Sequence, residues 1–141
     1  MKKTCLYFAA LLTAGFLYSC NSDKYGDPLP YAQVNEVINL TNMDYIALRN
    51  PNGAVTIPGG VKGIIVARQA GNVYYAFERA CPYQVYDSCA IVDIAPSRLF
   101  LEDVCCGTQF NFDGTVRSGP ANRDLVRYNT NLSGNLLYIT N

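Results

Sequence analysis

The chain has 141 residues, with 11 basic and 11 acidic side chains, a formal net charge of zero and no histidine. Because the charges are balanced and form no basic run, nucleic acid is excluded as an expected partner. Without histidine the chain also lacks the imidazole on which most nucleophile–base pairs depend, so no catalytic site is expected.

The N-terminus predicts an export signal. Lys2 and Lys3 precede an apolar run from Cys5 to Tyr18 that is too short to span a membrane. The run ends in Leu17-Tyr18-Ser19-Cys20, which resembles the lipobox of bacterial lipoproteins, whose cysteine is acylated and becomes the first residue after cleavage. The alternative is an ordinary secretory signal that is cleaved nearby.

The lipobox resemblance implies a domain organisation. Residues 1–19 would be the lipoprotein signal peptide, and Cys20 would be the lipid anchor that holds the protein to a membrane. The expected location is the bacterial cell envelope, at the periplasmic or the surface face of the outer membrane. Residues 20–31 contain Pro28, Pro30 and several small polar residues, a composition typical of a flexible tether. Residues 32–141 are enough for one domain with one hydrophobic core.

The rest of the chain predicts an all-β domain, because short apolar or alternating runs follow one another between turn signals. The 11 tyrosines and 6 phenylalanines favour strands over helices. At most one short helix is expected, near residues 93–98. We expect an antiparallel sandwich or small barrel built from Val34–Leu40, Tyr45–Leu48, Lys62–Arg68, Val73–Arg79, Gln109–Phe112, Thr115–Arg117, Leu125–Thr130 and Leu136–Thr140.

Four cysteines follow Cys20, at positions 81, 89, 105 and 106. An even number of cysteines in an exported chain favours disulfides over a metal site. The adjacent Cys105 and Cys106 would point in opposite directions in an extended segment, so each would need its own partner. A four-thiolate site for zinc or for an all-cysteine iron–sulfur cluster stays an alternative, although the spacing contains no Cys-x-x-Cys pair.

Two cysteine-containing stretches and a third loop carry a family resemblance. The stretches are Arg79-Ala-Cys-Pro-Tyr83 and Cys105-Cys-Gly-Thr-Gln-Phe110, and Gly119-Pro120-Ala121 follows them. Together they resemble the Rieske domain, and most closely Rieske-like bacterial lipoproteins with degenerate cluster ligands. The resemblance implies stacked antiparallel sheets and a loop-rich subdomain. In that family, Cys-x-His and Cys-x-x-His motifs hold a [2Fe–2S] cluster under a proline-containing loop.

The cluster-ligand positions of the Rieske family fall on Cys81, Tyr83, Asp103 and Cys106. A Rieske cluster needs two thiolates on one iron and two imidazoles on the other, whereas here a phenol and a carboxylate occupy two of the four positions. The expectation is therefore that the [2Fe–2S] cluster is lost and that no cofactor or metal is bound. Asp103 is predicted to be a turn or capping residue, and Gly119-Pro120 a loop over the emptied site.

Many Rieske domains also carry a disulfide between the two cluster loops, and the resemblance implies how the cysteines pair here. It places the loop disulfide between Cys89 and Cys105, and it leaves Cys81 and Cys106 to bridge the former cluster site. The swapped pairing, Cys81 with Cys105 and Cys89 with Cys106, stays open.

The sequence thus predicts a membrane-anchored envelope lipoprotein whose Rieske-like domain acts as a disulfide-stabilised binding or structural module. Its expected partners are the membrane, through the lipid anchor, and an envelope protein or small molecule that the sequence does not identify. The alternative is electron transfer, through a Rieske-type cluster or by thiol–disulfide exchange. An exposed disulfide would favour the alternative, whereas buried disulfides would favour the structural role.

Overall fold

Short strands, many of them rich in β-branched and aromatic residues, build two antiparallel sheets in the computed structural model, which describes residues 28–141. Strand content of this kind is what the composition favours, since such side chains pack well on a pleated surface. The strands are β1 (Asn35–Asn39), β2 (Ala54–Ile57), β3 (Ile64–Arg68), β4 (Tyr74–Glu78), β5 (Val92–Ile94), β6 (Leu101–Asp103), β7 (Thr108–Phe110), β8 (Val116–Ser118), β9 (Arg127–Ser133) and β10 (Leu136–Thr140).

The larger sheet has six strands in the order β1-β10-β9-β4-β3-β2. Two of the predicted strands are confirmed as β3 and β4, which pair as a hairpin from Ile64 opposite Glu78 to Arg68 opposite Tyr74. The turn between them contains Gly71 and Asn72, which both adopt positive φ angles of 72° and 61°. Glycine and asparagine are the residues that accept this backbone conformation at least cost.

Strand β3 is buried on both faces, and alternation along it separates two parts of the core. Ile65 and Ala67 pack with Phe77 and with the smaller sheet, whereas Ile64 and Val66 pack on the opposite side of the larger sheet. Because successive side chains of a strand point to opposite faces, a continuous apolar run such as Ile64–Ala67 can fill both clusters.

The smaller sheet has four strands in the order β5-β6-β7-β8. Leu101 and Phe110 are fully buried and pair directly across β6 and β7. The two sheets together confirm the expected all-β, antiparallel architecture. The end of β4 in the larger sheet and the turn between β6 and β7 in the smaller sheet lead into the loops that hold the cysteines, so both sheets position the candidate site.

Three details differ from the sequence expectation. The short helix expected near residues 93–98 is wrong, because Asp93 lies in β5 and pairs with Glu102, and Pro96 in the turn that follows has no backbone N–H to donate to a helix. The segment Met43–Arg49 is a 3-10 helix rather than a strand. Strands β2, β5 and β6 were not predicted as strands.

The predicted signal peptide and residues 20–27 of the tether, which include the predicted lipid anchor Cys20, lie outside the described residues. Across residues 28–141, the structure contains no helix of the length and apolarity that crossing a membrane requires.

Candidate functional site

The first cysteine loop begins where β4 ends at Glu78. This carboxylate is fully buried, and it accepts hydrogen bonds from the backbone N–H groups of Val61 (2.7 Å), Lys62 (2.8 Å) and Ala80 (2.9 Å). A buried carboxylate requires such donors to offset its lost hydration. Glu78 therefore fixes the backbone immediately before Cys81.

The same loop is closed at its far end. The backbone N–H of Cys81 donates to the carbonyl of Ala90 at 3.2 Å, and the Lys62 ammonium donates to the carbonyls of Asp87 and Ala90. These contacts hold both ends of residues 81–90 against the larger sheet, and they place Cys89 in an exposed part of the loop.

The second cysteine loop is a turn organised by Asp103 at the end of β6. Its Oδ1 accepts the backbone N–H of Cys105 at 2.8 Å, and its backbone carbonyl accepts the N–H of Gly107 at 2.7 Å. Gly107 has a φ of 76°, a conformation that favours glycine. Asp103 is thus a turn residue, as the sequence predicted.

Asp103 also faces the two cysteines that are not in a disulfide. The Sγ atoms of Cys81 and Cys106 are 3.8 Å apart, and the Cys106 thiol donates to Oδ2 of Asp103 at 3.4 Å. One sulfur or carboxylate oxygen from each of the three residues lies within 4.8 Å of the other two. Cys81 and Asp103 are completely buried, whereas Cys106 is half-buried. The two loops therefore bring three metal-ligating side chains to one point.

The environment of Cys81 favours its protonated form. Burial is the largest cause that raises the pKa of this thiol well above its ordinary value, and the nearby Asp103 carboxylate raises it further. The backbone N–H of Tyr83 donates to the sulfur and acts in the opposite direction. Because a thiol is a poor nucleophile until it is deprotonated, Cys81 is not activated for covalent catalysis.

A third loop, at residues 119–121, packs near Cys106, on one side of the group formed by Cys81, Asp103 and Cys106. Thr108 is fully buried, its Oγ1 lies 3.1 Å from the Cys106 sulfur, and it accepts the backbone N–H of Ala121 at 3.2 Å. A Cβ on Gly119 would lie 2.5 Å from the Cα of Thr108, so only glycine allows this approach. The sequence predicted this loop over the emptied cluster site. In the structure, residues 119–121 lie against Thr108, which in turn contacts Cys106. Thr108 itself was missed, although it follows directly after Cys106-Gly107.

Cys89 and Cys105 form the predicted disulfide, with their Cα atoms 5.6 Å apart. The swapped pairing is therefore wrong. The second expected bridge differs from the structure, in which Cys81 and Cys106 are both thiols. The physical reason is that both thiols donate hydrogen bonds to the Asp103 carboxylate, so each sulfur has a partner without the bond. Cys89 and Cys105 are exposed rather than buried.

Tyr83, at the fourth predicted ligand position, is half-buried and packs against the core cluster that includes Cys81 and Leu101. Its side chain therefore contributes to packing next to the thiol group.

No family model matches the sequence, and no curated protein matches it. Among solved structures, the chain is similar to the plasma-membrane Rieske protein PetC3 of the cyanobacterium Synechocystis PCC 6803. The identity is 24%, the TM-score is 0.52, and the match covers 63% of this chain and 87% of that one. It also matches the ferredoxin of carbazole 1,9a-dioxygenase from Nocardioides aromaticivorans IC177, with 16% identity, a TM-score of 0.49 and coverage of 78% and 98%. The similarity to PetC3 identifies the fold as Rieske-like.

The residues present do not fit the [2Fe–2S] cluster that a Rieske fold implies. Two imidazoles are required on one iron, and the sequence has no histidine. An all-cysteine [2Fe–2S] cluster needs four thiolates, but Cys89 and Cys105 are bonded to each other, which leaves two thiols among residues 28–141. Neither kind of cluster has its ligands here.

Proposed function

We propose that this protein is a lipid-anchored module of the bacterial cell envelope whose Rieske-like domain has lost its [2Fe–2S] cluster and serves a binding or structural role. The observation that carries the proposal is the donor set at the former ligand positions, which contains two thiols, a carboxylate and a phenol. The Asp103 carboxylate is already engaged in the turn and by the thiols, so the loops keep their shape without iron.

Exposed apolar side chains near the disulfide support a binding role. Val104, next to Cys105, is 83% exposed, and Tyr86, three residues before Cys89, is 61% exposed. Apolar surface at a loop tip is a common feature of protein interaction sites. An envelope protein that contacts this tip is the partner we infer.

Reconstitution with iron and sulfide tests the loss of the cluster. The protein, with its Cys89–Cys105 disulfide left intact, would be treated anaerobically with iron and sulfide, desalted, and assayed for both elements and for the paramagnetic signal of a reduced cluster. We expect neither element to be retained in stoichiometric amounts. Retention of equal amounts of iron and sulfide by the unaltered protein would contradict the proposal.

A matched pair of triple variants makes this experiment sharper. The combination Tyr83→His, Asp103→Cys and Cys106→His restores the Rieske ligand set, and we expect it to retain iron and sulfide. The combination Tyr83→Phe, Asp103→Ser and Cys106→Ser changes the same positions without adding ligands, and we expect no retention.

Membrane anchoring rests on the lipobox resemblance at Cys20. Growth of an expressing bacterium with a labelled fatty acid should label the protein and place it in the membrane fraction. Cys20→Ser should remove the label and release the protein, because acylation requires the thiol. Equal membrane association of this variant without label would contradict lipid anchoring.

The exposed disulfide favours a second candidate function, thiol–disulfide exchange with a partner. In this reaction a partner dithiol reduces Cys89–Cys105 to two thiols and becomes a disulfide itself, so electrons and protons balance. Equilibration with defined thiol–disulfide buffers would distinguish the candidates. A potential below about −300 mV is typical of structural disulfides, and one between about −120 and −270 mV is typical of exchange proteins.

A further inference from the structure

The geometry points to a binding site for one thiophilic divalent cation, represented by Zn²⁺, held by Cys81, Cys106 and Asp103. This site rests on the proposed loss of the [2Fe–2S] cluster, because the same residues cannot hold a cluster and a single ion at once. The sequence led us to expect no metal here.

The donor distances match those of a tetrahedral zinc ion. Zn–S bonds of about 2.3 Å place two thiolates about 3.8 Å apart, and a carboxylate oxygen about 3.5 Å from each sulfur. The observed distances are 3.8 Å between Cys81 and Cys106 and 3.4 Å between Cys106 and Asp103. The third distance, between the Cys81 sulfur and an Asp103 oxygen, is at most 4.8 Å. It therefore has to shorten by at most roughly 1.3 Å to reach the value expected for zinc.

The electrostatics of the group also favour a cation. Asp103 is a fully buried carboxylate, and the salt bridge within residues 28–141 joins Arg79 to Asp93 rather than any cation to Asp103. Replacing the two thiol protons by one divalent ion leaves the net charge of the site unchanged, so binding adds no buried charge. Thiolate ligands select zinc over the hard cations magnesium and calcium, which prefer oxygen.

A disulfide between Cys81 and Cys106 would satisfy the site less well. Oxidation removes both thiol donors from the Asp103 carboxylate. Its Oδ1 would keep the backbone N–H of Cys105, but its Oδ2 would lose the Cys106 thiol that donates to it. Removing a donor from a buried carboxylate is unfavourable, whereas a bound metal ion retains the carboxylate as a ligand.

The surroundings prepare the ligands for binding. The Cys89–Cys105 disulfide joins the two loops next to Cys106, and Thr108 contacts the Cys106 sulfur from the third loop. Three protein donors leave one position of a tetrahedral ion for a water molecule or an exogenous donor. Cys106 is only half-buried beside the third loop, so solvent reaches at least one of the three ligands. The ion would link residues 81 and 106 and so stabilise the first and second cysteine loops against each other.

Cobalt substitution tests the site. Protein with the Cys89–Cys105 disulfide intact and the other two thiols reduced would be titrated anaerobically with Co²⁺. We expect the sulfur-to-cobalt charge-transfer band and the intense visible bands of tetrahedral Co²⁺, at one ion per chain, with displacement by Zn²⁺. Asp103→Asn keeps the Oδ1 acceptor of the turn, and we expect it to weaken Co²⁺ binding by more than about tenfold.

Glu102→Gln is the matched control, because it alters the neighbouring carboxylate on the opposite face of β6 and should leave binding unchanged. Circular dichroism would verify that both variants fold. Absence of the cobalt bands in the unaltered protein, equal binding by Asp103→Asn, or a Cys81–Cys106 disulfide in anaerobically isolated protein would each overturn the inference alone. Stoichiometric iron with sulfide would overturn the proposed function as well.

Discussion

Removal of the Cys89–Cys105 disulfide should destabilise the domain by about 3 kcal/mol. The bridge closes a loop with a sequence separation of 16. In the chain-entropy model the unfolded state loses about 10 cal/mol/K on closure of a loop of this size, which corresponds to about 3 kcal/mol at 25 °C. Small domains are stable by about 5–15 kcal/mol, so the loss is a large share of the total.

Urea unfolding of Cys89→Ser/Cys105→Ser measures this effect. The chain has no tryptophan, so far-ultraviolet circular dichroism or tyrosine fluorescence would follow the transition. With an m-value of about 1–3 kcal/mol/M, the midpoint should fall by roughly 1–3 M. A reductant should lower the midpoint of the unaltered protein to the same value and leave the double variant unchanged. A loss below about 1 kcal/mol, or a further loss of the double variant in reductant, would refute the reasoning.

Three other perturbations test the contacts that position the site. Tyr128→Phe removes the 2.6 Å hydrogen bond to the buried Glu78 carboxylate and should cost about 1–3 kcal/mol at neutral pH, measured by urea unfolding. Burial, and then Glu78, raise the pKa of Tyr128 in the folded state. The contribution of Tyr128 to the free energy of unfolding is therefore fully present below the unfolded pKa of about 10 and is lost as the pH rises further. Above pH 10 the stability of Tyr128→Phe should fall less steeply than that of the unaltered protein. Equal alkaline slopes would contradict this cause. Gly119→Ala meets Thr108 and should cost more than Gly134→Ala, which also has a positive φ but meets no atom within 4 Å and should cost about 1 kcal/mol. The first should also speed alkylation of Cys106, and equal effects of the two substitutions would contradict the packing of the third loop. Lys62→Met removes two hydrogen bonds to the first loop and should increase amide exchange at residues 87–90, whereas unchanged exchange would show that the disulfide alone holds the loop.

The parts of the fold that the sequence predicts are those set by local signals. The β3–β4 hairpin follows from two apolar runs around Gly71 and Asn72, and its register agrees with that pattern. The strands β2, β5 and β6 were missed because they are short, with four, three and three residues, and carry little periodicity of their own. Pairing with neighbouring strands stabilises them, and this is a long-range effect that propensity does not report.

The candidate site was predictable only in part. Resemblance to the Rieske domain, rather than spacing, pointed to the Cys89–Cys105 pair. The role of Asp103 in the turn follows from its residue type, but its position facing both thiols depends on two loops meeting across the sheet. Glu78 and Tyr128 are 50 residues apart, so their contact could not be read from the local pattern.

Native mass spectrometry of anaerobically isolated protein tests most directly our proposal that the site has lost the Rieske cluster and binds a single metal ion instead. We expect a denatured chain with one disulfide and two thiols that react with an alkylating agent. The native chain should carry no iron or sulfide and should bind one zinc ion. A native mass increased by two irons and two sulfides would contradict the account.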